Sequence, residues 1–371
     1  MRILIDLRYK KILYSDNLIS KKEHILKYDS FFSGYYDGFK KNGNDVFLVC
    51  TDSFLLPLII RSKFKYLVRI HDLIFSLRPF NFFKKLICTV IISLYCKLKK
   101  IDFYFSEVNF NIIPSLFLIL NSKTKLTQWF GIFPDMVELH NFKMLKNYDF
   151  LWKPSIFNDD IEKQFSENNS FYIGCSANSD HHFYQYDSSL SFEIVFVGTL
   201  SKYHYERLEV IEYLANNFEN FAFFGSLDKS IHLSNEASNS FMGWADQETY
   251  RKTISSSKIS INLTLDSYEK VVKGFNARLF ELASIGGALQ LVSQDNKIDR
   301  YFRENEVIQF KNLANLVEIC NYFLDENNEE ERQMIVKASK EKVQNYYYIN
   351  RAKKIEQIVS KEILNDNHKF N

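Results

Sequence analysis

The feature that most constrains this chain is an alternation of short apolar segments with helical segments, which occurs twice along its length. In the first half, RILIDL (residues 2–7) and IDFYFSE (residues 101–107) have the apolar and aromatic composition of strands. In the second half, FEIVFVGTL (192–200) and FAFFGSL (221–227) begin a second such series. Strands that alternate with helices are typical of a parallel α/β sheet, so the sequence predicts two such sheets.

A polar stretch separates the two series. It reads SANSDHHFYQYDSSLS and spans residues 176–191 of a 371-residue chain, which is longer than a single core usually grows. We therefore predict an α/β fold of two Rossmann-like domains facing a cleft, one over residues 1–186 and the other over residues 187–371 with the terminal helices. The ligand is expected in that cleft, because ligands of open α/β sheets bind beyond the carboxyl ends of the strands.

Charge and cysteine content narrow the class of protein. The formal net charge is +2, which gives no whole-molecule argument for nucleic-acid binding. The five cysteines are scattered and show no metal-ligand spacing, which favours free thiols in a reducing cytoplasm. The N-terminus MRILIDLRYK lacks the order of a signal peptide and is better interpreted as a first strand.

The longest apolar run, LICTVIISLYC over residues 86–96, has lysines at both ends. It is too short to span a bilayer, which takes about 20 residues. Two interpretations remain open. It is either a buried helix, or a helix that lies on an anionic membrane surface with its lysines at the headgroups.

Glycines follow four strand-like segments of the second half, at Gly198, Gly225, Gly243 and Gly274. A glycine between a strand and a helix lets the backbone approach a phosphate, and the helix N-terminus adds positive potential. The loop after the first of these strands also carries Lys202 and Arg207. These two residues either form a solvated helix start or contact a phosphate or an acceptor.

The segment KGFNARLFELASIGGALQLV, residues 273–292, predicts a loop, a helix ended by two glycines, and a strand. Arg278 and Glu281 are three residues apart and so share one face of that helix. By themselves they fit an ordinary solvated ion pair, which contributes only about 0–1 kcal/mol. Their place between a glycine loop and a double-glycine stop favours the wall of a binding site.

This segment, with FVGTLSKYHYERLEVIEYL and FMGW, resembles the group-1 glycosyltransferases of the GT-B fold, most closely their CgeB-like, spore-maturation-type branch. The resemblance covers about residues 192–358. It implies that the second domain binds a nucleotide sugar, that the first domain holds the acceptor, and that no metal or other cofactor is needed. Many retaining members have two glutamates eight positions apart here; Glu281 matches the second, whereas Lys273 replaces the first.

The resemblance also implies roles for individual residues. Glu281 would accept hydrogen bonds from the ribose, Arg278 would donate to the diphosphate, and Asn276 would orient the donor at the helix start. The full predicted donor-binding set is Gly198, Lys202, Arg207, Gly243, Lys273, Gly274, Phe275, Asn276, Arg278 and Glu281.

Catalytic residues are expected in the first domain. His71 follows a strand-like segment, and a histidine titrates near neutral pH, which suits proton abstraction; equally, it could be hydrogen-bonded within a turn. Asp135 is the second candidate, in a stretch that loosely resembles the tryptophan-and-aspartate stretch of the same branch. Adjacent histidines in SDHH do not by themselves predict a metal site.

The leading hypothesis is a cytoplasmic glycosyltransferase that moves a sugar from a nucleotide-sugar donor to a cell-envelope polysaccharide or glycolipid, with an anionic membrane surface as a candidate partner. The alternative, motivated by Lys273, is a non-catalytic GT-B-like protein that binds nucleotide or glycan within an assembly. An NAD-type oxidoreductase is disfavoured, since no GxGxxG follows the first strand.

Overall fold

A computed structural model describes residues 1–6, 30–49, 78–107, 112–129, 147–153, 162–163, 165, 169–201, 205–263, 276–294 and 298–369. The chain divides into two compact units. Unit 1 comprises Met1–Gly174 and Tyr348–Asn371, and unit 2 comprises Cys175–Tyr347.

Unit 1 contains a parallel six-stranded sheet within the described ranges, in the order β2-β1-β3-β4-β5-β6. Its strands are β1 Arg2–Asp6, β2 Asp45–Val49, β3 Phe103–Glu107, β4 Lys125–Trp129, β5 Phe150–Lys153 and β6 Ser170–Tyr172. The helices between them are α1 Ser30–Lys41, α2 Arg78–Lys99 and α3 Pro114–Leu120.

The central strands of this sheet are buried on both faces, as the apolar run at the start of the chain predicts. Ile3, Leu4 and Ile5 of β1 have no exposed surface, and β1 lies inside the sheet, paired with β2 on one side and β3 on the other. An aromatic core lies on one side of the sheet, with the ring centroids of Tyr35 and Phe105 5.1 Å apart. Strands covered on both faces need near-continuous apolar sequence, and these strands have it.

Unit 2 contains a parallel five-stranded sheet in the order β11-β10-β9-β7-β8 within the described residues. Its strands are β7 Ile194–Val197, β8 Phe221–Phe224, β9 Ile259–Asn262, β10 Leu289–Ser293 and β11 Ile308–Phe310. Its helices are α4 Tyr205–Asn217, α5 Asn235–Ser240, α6 Gln247–Ser256, α7 Arg278–Ile285, α8 Leu313–Leu324 and α9 Glu329–Val343. Short 3₁₀ turns occupy Ser188–Leu190, Ile298–Arg300, Glu326–Asn328 and Gln344–Tyr346.

The order of these strands creates a switch point. Strands β7 and β9 are neighbours in the sheet. The chain runs from β7 to β8 on one side and from β9 to β10 on the other, so the connections after β7 and β9 diverge. Beyond the carboxyl ends of β7 and β9 this leaves the crevice in which open α/β sheets bind ligands. Both sheets are parallel and carry helices, so the predicted α/β class with two Rossmann-like domains is confirmed.

The last helix, α10 Tyr348–Lys369, belongs to unit 1 and packs against α1. The contact depends on small residues in α1. A Cβ placed on Gly34 would lie 2.2 Å from the ring of Tyr348, and one on Gly38 would lie 2.9 Å from the Tyr348 carbonyl oxygen. Farther along, the Glu356 carboxylate accepts hydrogen bonds from the side chains of Asn42 and Asn44, at 3.0 and 2.8 Å.

This division differs from the predicted domains, 1–186 and 187–371, at two places. Unit 2 begins at Cys175, because the polar stretch expected to join the domains is bound to unit 2. The backbone N–H groups of Gln185 and Asp187 donate to the hydroxyls of Ser255 and Ser256 at 2.8 and 2.7 Å. The second difference is α10, which the sequence analysis placed with the C-terminal domain.

Four of the five cysteines lie in the described part of the chain, and all four are free thiols. They are Cys88, Cys96, Cys175 and Cys320. The fifth, Cys50, lies outside the described residues, as does the strand-like segment that His71 follows.

The packing of α10 on α1 generates a stability prediction. Alanine in place of a helical glycine ordinarily stabilises a helix by about 1 kcal/mol. We expect Gly34→Ala to do the reverse and lower the free energy of unfolding by about 1–3 kcal/mol, because its methyl group overlaps the Tyr348 ring. Urea denaturation measures the change. Lys40→Ala, at an exposed position of the same helix, is the control and should change stability by no more than about 0.5 kcal/mol. A more stable Gly34→Ala protein would contradict this packing.

Candidate functional site

Three of the four glycines singled out from the sequence meet at the carboxyl end of the unit 2 sheet. Gly198 follows β7 and donates its N–H to the carbonyl oxygen of Phe224 at 2.8 Å, and Gly225 follows β8 and donates to Gly243 at 2.8 Å. Gly225 has φ +147°, and a Cβ there would lie 1.8 Å from the Gly198 carbonyl oxygen. We call these three residues the glycine cluster. Gly274 lies outside the described residues.

Two asparagines lie beyond the carboxyl end of β9, next to the switch point. Asn262 is the last residue of β9 and is 1% exposed. Its side-chain oxygen accepts a hydrogen bond from Asn276 Nδ2 at 3.4 Å. Asn276 in turn accepts from the backbone N–H of Leu279 at 3.3 Å, so it caps the start of α7. This hydrogen bond fixes the Asn276 side chain at the start of the helix, and its contact with a donor stays a prediction.

Arg278 and Glu281 both lie in the described part of α7, but they do not pair with each other. Both side chains contact Tyr250, Arg278 over its ring and Glu281 at its hydroxyl, but their other neighbours differ. Arg278 extends toward β7, where its Nη1 would be 3.0 Å from a Cβ on Gly198. Its guanidinium also lies over the ring of Tyr250, 5.8 Å from the ring centroid. The solvated ion pair that the sequence left open is thus not what the structure contains.

The guanidinium of Arg278 has an unused hydrogen-bond donor. Its Nε is buried, and none of the described residues accepts a hydrogen bond from it. A buried guanidinium donor without an acceptor is costly, whereas an anion at the glycine cluster would satisfy it. The bare backbone at Gly198 leaves the space through which the arginine reaches that cluster.

Glu281 is held by residues from two other segments. Its side chain is 16% exposed. One carboxylate oxygen accepts from the Tyr250 hydroxyl at 3.5 Å, and the other lies 3.8 Å from His182 Nε2. Burial first, and then the charge of Glu281, raise the pKa of Tyr250 well above its usual value. Tyr250 therefore stays a neutral hydroxyl that donates to the carboxylate.

His182 is fixed in one tautomer by its neighbours. It is 4% exposed, and its Nδ1 accepts the backbone N–H of Asn178 at 3.1 Å. The neutral imidazole therefore carries its proton on Nε2, which faces Glu281. Burial lowers the pKa of His182, although Glu281 acts in the opposite direction. The His182 carbonyl also accepts from Ser284 Oγ of α7 at 2.6 Å, which ties this segment to the helix that carries Glu281.

The remaining predicted residues are placed as follows. Arg207 lies in α4, and its Nη1 donates to the carbonyl oxygen of Thr199, one residue beyond Gly198, at 3.0 Å. The structure thus brings together part of the predicted set, namely Gly198, Arg207, Gly243, Asn276, Arg278 and Glu281. The other predicted residues lie outside the described ranges, namely Lys202, Lys273, Gly274, Phe275 and the two catalytic candidates His71 and Asp135.

Three residues at this site are not predicted by the sequence. Tyr250 and Asn262 occur in a helix and a strand whose sequences carry no motif. His182 stands out in the sequence only as one of two adjacent histidines, which do not by themselves predict a metal site. Among the described residues, no three His, Cys, Asp or Glu side chains are grouped so that they could hold a metal ion. His182 instead contacts Glu281.

A known protein family matches the part of the chain that contains most residues of this site. A family described as "Glycosyl transferase-like" matches residues 207–357, which begin in α4 and end in α10. This part of the chain is a glycosyltransferase-like domain. The match includes Tyr250, Asn262, Asn276, Arg278 and Glu281, and starts nine residues after Gly198.

Solved structures show the same fold over nearly the whole chain. Sucrose-phosphate synthase from Thermosynechococcus elongatus has a TM-score of 0.58 at 12% identity, covering 98% of this chain and 99% of that one. A glycosyltransferase from Rickettsia africae gives 0.58 at 13%, covering 98% of each chain. HepE from Anabaena, in complex with UDP and glucose, gives 0.56 at 9%, covering 97% and 100%. These similarities establish the GT-B fold. No curated protein sequence matches this chain significantly.

The glycine cluster predicts a contrast between two substitutions. Gly225 and Gly243 both have positive φ, but a Cβ on Gly225 overlaps the Gly198 backbone whereas one on Gly243 meets nothing within 4 Å. We expect Gly225→Ala to lower the free energy of unfolding by about 3 kcal/mol or more. Gly243→Ala should cost only about 1–2 kcal/mol, for the left-handed backbone alone. Denaturant unfolding of the two variants checks this, and equal losses would contradict the close approach.

The burial of His182 predicts a pH dependence. Its pKa is lower in the folded protein than the usual 6.5, so the unfolded chain binds this proton first as the pH falls. The free energy of unfolding should therefore decline below about pH 6.5 until the folded pKa is reached. His182→Asn keeps an acceptor for Asn178 and should make the decline shallower. Unfolding midpoints measured across this range test it, with the same exchange at the exposed His232 as the control. An unchanged slope in His182→Asn would contradict it.

Proposed function

We propose that this chain is a nucleotide-sugar-dependent glycosyltransferase of the CgeB-like branch that adds a sugar to a cell-envelope glycan or glycolipid. The observation that carries the proposal is the meeting of the glycine cluster, Asn276, Arg278 and Glu281 at the switch point of a sheet within a glycosyltransferase-like domain. A sugar nucleotide requires backbone that its diphosphate can approach, a guanidinium that binds the diphosphate, and an oriented carboxylate that binds the ribose.

Each part of the donor is assigned to residues that match its charge or its hydrogen-bonding groups. Its diphosphate lies at the glycine cluster, where the absence of side chains leaves room for it and where it accepts hydrogen bonds from Arg278. Its ribose hydroxyls donate to Glu281, whose carboxylate is oriented by Tyr250 and faced by His182. Arg207, which donates to the Thr199 carbonyl oxygen, adds positive charge near the same phosphates. Lys202, Lys273, Gly274 and Phe275 lie outside the described residues, and their donor contacts are proposed from the family resemblance alone.

Catalysis consists mainly of stabilising the leaving group. Breaking the bond between the sugar and the diphosphate leaves positive charge on the sugar ring and negative charge on the diphosphate. Arg278 and the helix N-termini stabilise the developing negative charge, which supports an oxocarbenium-like transition state without a metal. His71 and Asp135 are the candidates for deprotonating the acceptor hydroxyl.

The acceptor and the location complete the proposal. An envelope polysaccharide such as lipopolysaccharide or capsule is built on the cytoplasmic side of the membrane, so we place the enzyme in the cytoplasm, peripheral to the inner face of the cell membrane. The Anabaena neighbour holds UDP and glucose, which makes UDP sugars the first donors to test here.

Turnover and binding measurements test the proposal. The full chain is incubated with UDP, GDP, CDP and ADP sugars, and released nucleoside diphosphate is quantified; calorimetry then gives the affinity. Binding with release supports an enzyme. Binding without release under any acceptor supplied would favour the non-catalytic alternative, and no binding of any nucleotide sugar at millimolar concentration would contradict the proposal.

Substitutions at the site make the test specific. We expect Glu281→Gln and Arg278→Gln each to weaken donor binding by roughly 10- to 150-fold, because a hydrogen bond to a charged group contributes about 1.5–3 kcal/mol. Their unfolding midpoints should stay near that of the wild type. Glu236→Gln, an exposed carboxylate of α5 in the same unit, is the control and should bind normally. If both site variants unfold, the residues are structural.

A further inference from the structure

Helix α2 has two apolar sides, and only one of them is buried. Its inner side packs in unit 1 through Cys88, Ile92 and Cys96, which are at most 3% exposed. Its outer side presents large apolar residues every three or four positions. They are Phe83, Ile87, Val90, Ile91, Leu94 and Leu98, with 57, 41, 38, 40, 53 and 80% of their surface exposed. We call these six residues the outer face.

Polar contacts fix which side of α2 turns outward. The Thr89 hydroxyl accepts the backbone N–H of Ile113 at 2.8 Å, and the Ser93 carbonyl oxygen accepts from Asn121 at 3.4 Å. Both contacts join α2 to the segment that contains α3, on the side opposite the outer face. These two hydrogen bonds hold α2 in an orientation that turns the outer face away from α3.

The charges of α2 are all positive. Its 22 residues include Arg78, Lys84, Lys85, Lys97 and Lys99 and no carboxylate, and Lys100 follows directly. At about 100° per residue, Lys84 and Lys97 fall on the two edges of the outer face. An apolar strip with cations along both edges matches the layers of an anionic membrane, in which acyl chains lie beneath phosphate headgroups.

We propose that the outer face of α2 attaches this protein to an anionic membrane surface. The helix lies in the plane of the interface, its six apolar side chains enter the acyl boundary, and Lys84 and Lys97 contact lipid phosphates at its edges. No helix in the described part of the chain is long and apolar enough to cross a membrane.

A lipid surface fits this face better than a second copy of the chain. In a symmetric dimer through the outer face, the all-positive helix would meet its own copy, so lysines would approach lysines without any carboxylate on either helix. Like charges at close range disfavour that contact, whereas anionic lipid neutralises them.

The inference rests on the proposed function only in that a lipid-linked acceptor gives the attachment a purpose. The donor residues lie in unit 2 and α2 lies in unit 1. Donor binding and membrane binding can therefore be measured separately on one protein sample, and either can fail while the other holds.

Vesicle co-sedimentation of the full chain tests the proposal, with phosphatidylcholine vesicles that contain phosphatidylglycerol compared with phosphatidylcholine alone. We expect binding to the anionic vesicles at low salt and its loss as salt rises. Leu94→Glu places a charge in the middle of the outer face and should weaken binding about tenfold or more. The triple exchange of Lys97, Lys99 and Lys100 to Gln should weaken it by a similar factor.

Two matched controls separate the outer face from general surface effects. Met334→Glu introduces the same charge at a 60% exposed apolar residue of α9. Exchange of the exposed Lys229, Lys337 and Lys361 to Gln removes the same net charge elsewhere. Both controls should bind vesicles like the wild type, and every variant should keep its unfolding midpoint and its affinity for the donor.

Three results would overturn the proposal. The wild type could ignore anionic vesicles at low salt, or Leu94→Glu and the lysine triple could bind as well as the wild type. In the third, sedimentation would show a dimer that Leu94→Glu dissociates, which would assign the outer face to a second copy. If vesicle binding fails while nucleotide sugars still bind, the attachment is wrong and the proposed transferase stands.

Discussion

The candidate site depends on one close approach, in which the backbone of Gly225 lies against the carbonyl of Gly198 with no room for a side chain. This contact brings the loops after β7 and β8 together and leaves bare backbone at the switch point. Arg278 can then reach across from α7 to the end of β7. Without the close approach, side chains would fill the space beside Gly198 into which Arg278 extends.

A second constraint positions the carboxylate. Glu281 lies between Tyr250 from α6 and His182 from the polar segment that opens unit 2, and neither neighbour is positively charged at neutral pH. In a permanent ion pair, Glu281 and Arg278 would neutralise each other's charge. Because the structure keeps them apart, the arginine remains available to an anion and the glutamate to hydroxyl groups. This separation differs from a surface ion pair and is consistent with the proposed binding site.

Local patterns predicted much of this structure. The alternation of apolar strands with helices predicted both parallel sheets, and the same pattern singled out Gly198, Gly225 and Gly243 as glycines that follow strands. The local patterns did not predict contacts between residues far apart in the sequence. Residues 176–191 have the composition of a linker, but their polar groups are satisfied by Ser255, Ser256 and Ser284, which no local pattern reveals. The partner of α10 is likewise about 310 residues away in sequence, so its place in unit 1 depends on shape at Gly34 rather than on motif.

Hydrogen exchange on addition of a nucleotide sugar tests the central claim most directly, because it locates the ligand without relying on a substitution. With UDP-glucose or whichever donor binds, the account predicts slower exchange of backbone amides at residues 198–201 and 276–281, at the ends of β7 and the start of α7, together with the segment around His182. Protection confined to other parts of the chain, with these amides unchanged at saturating donor, would contradict it.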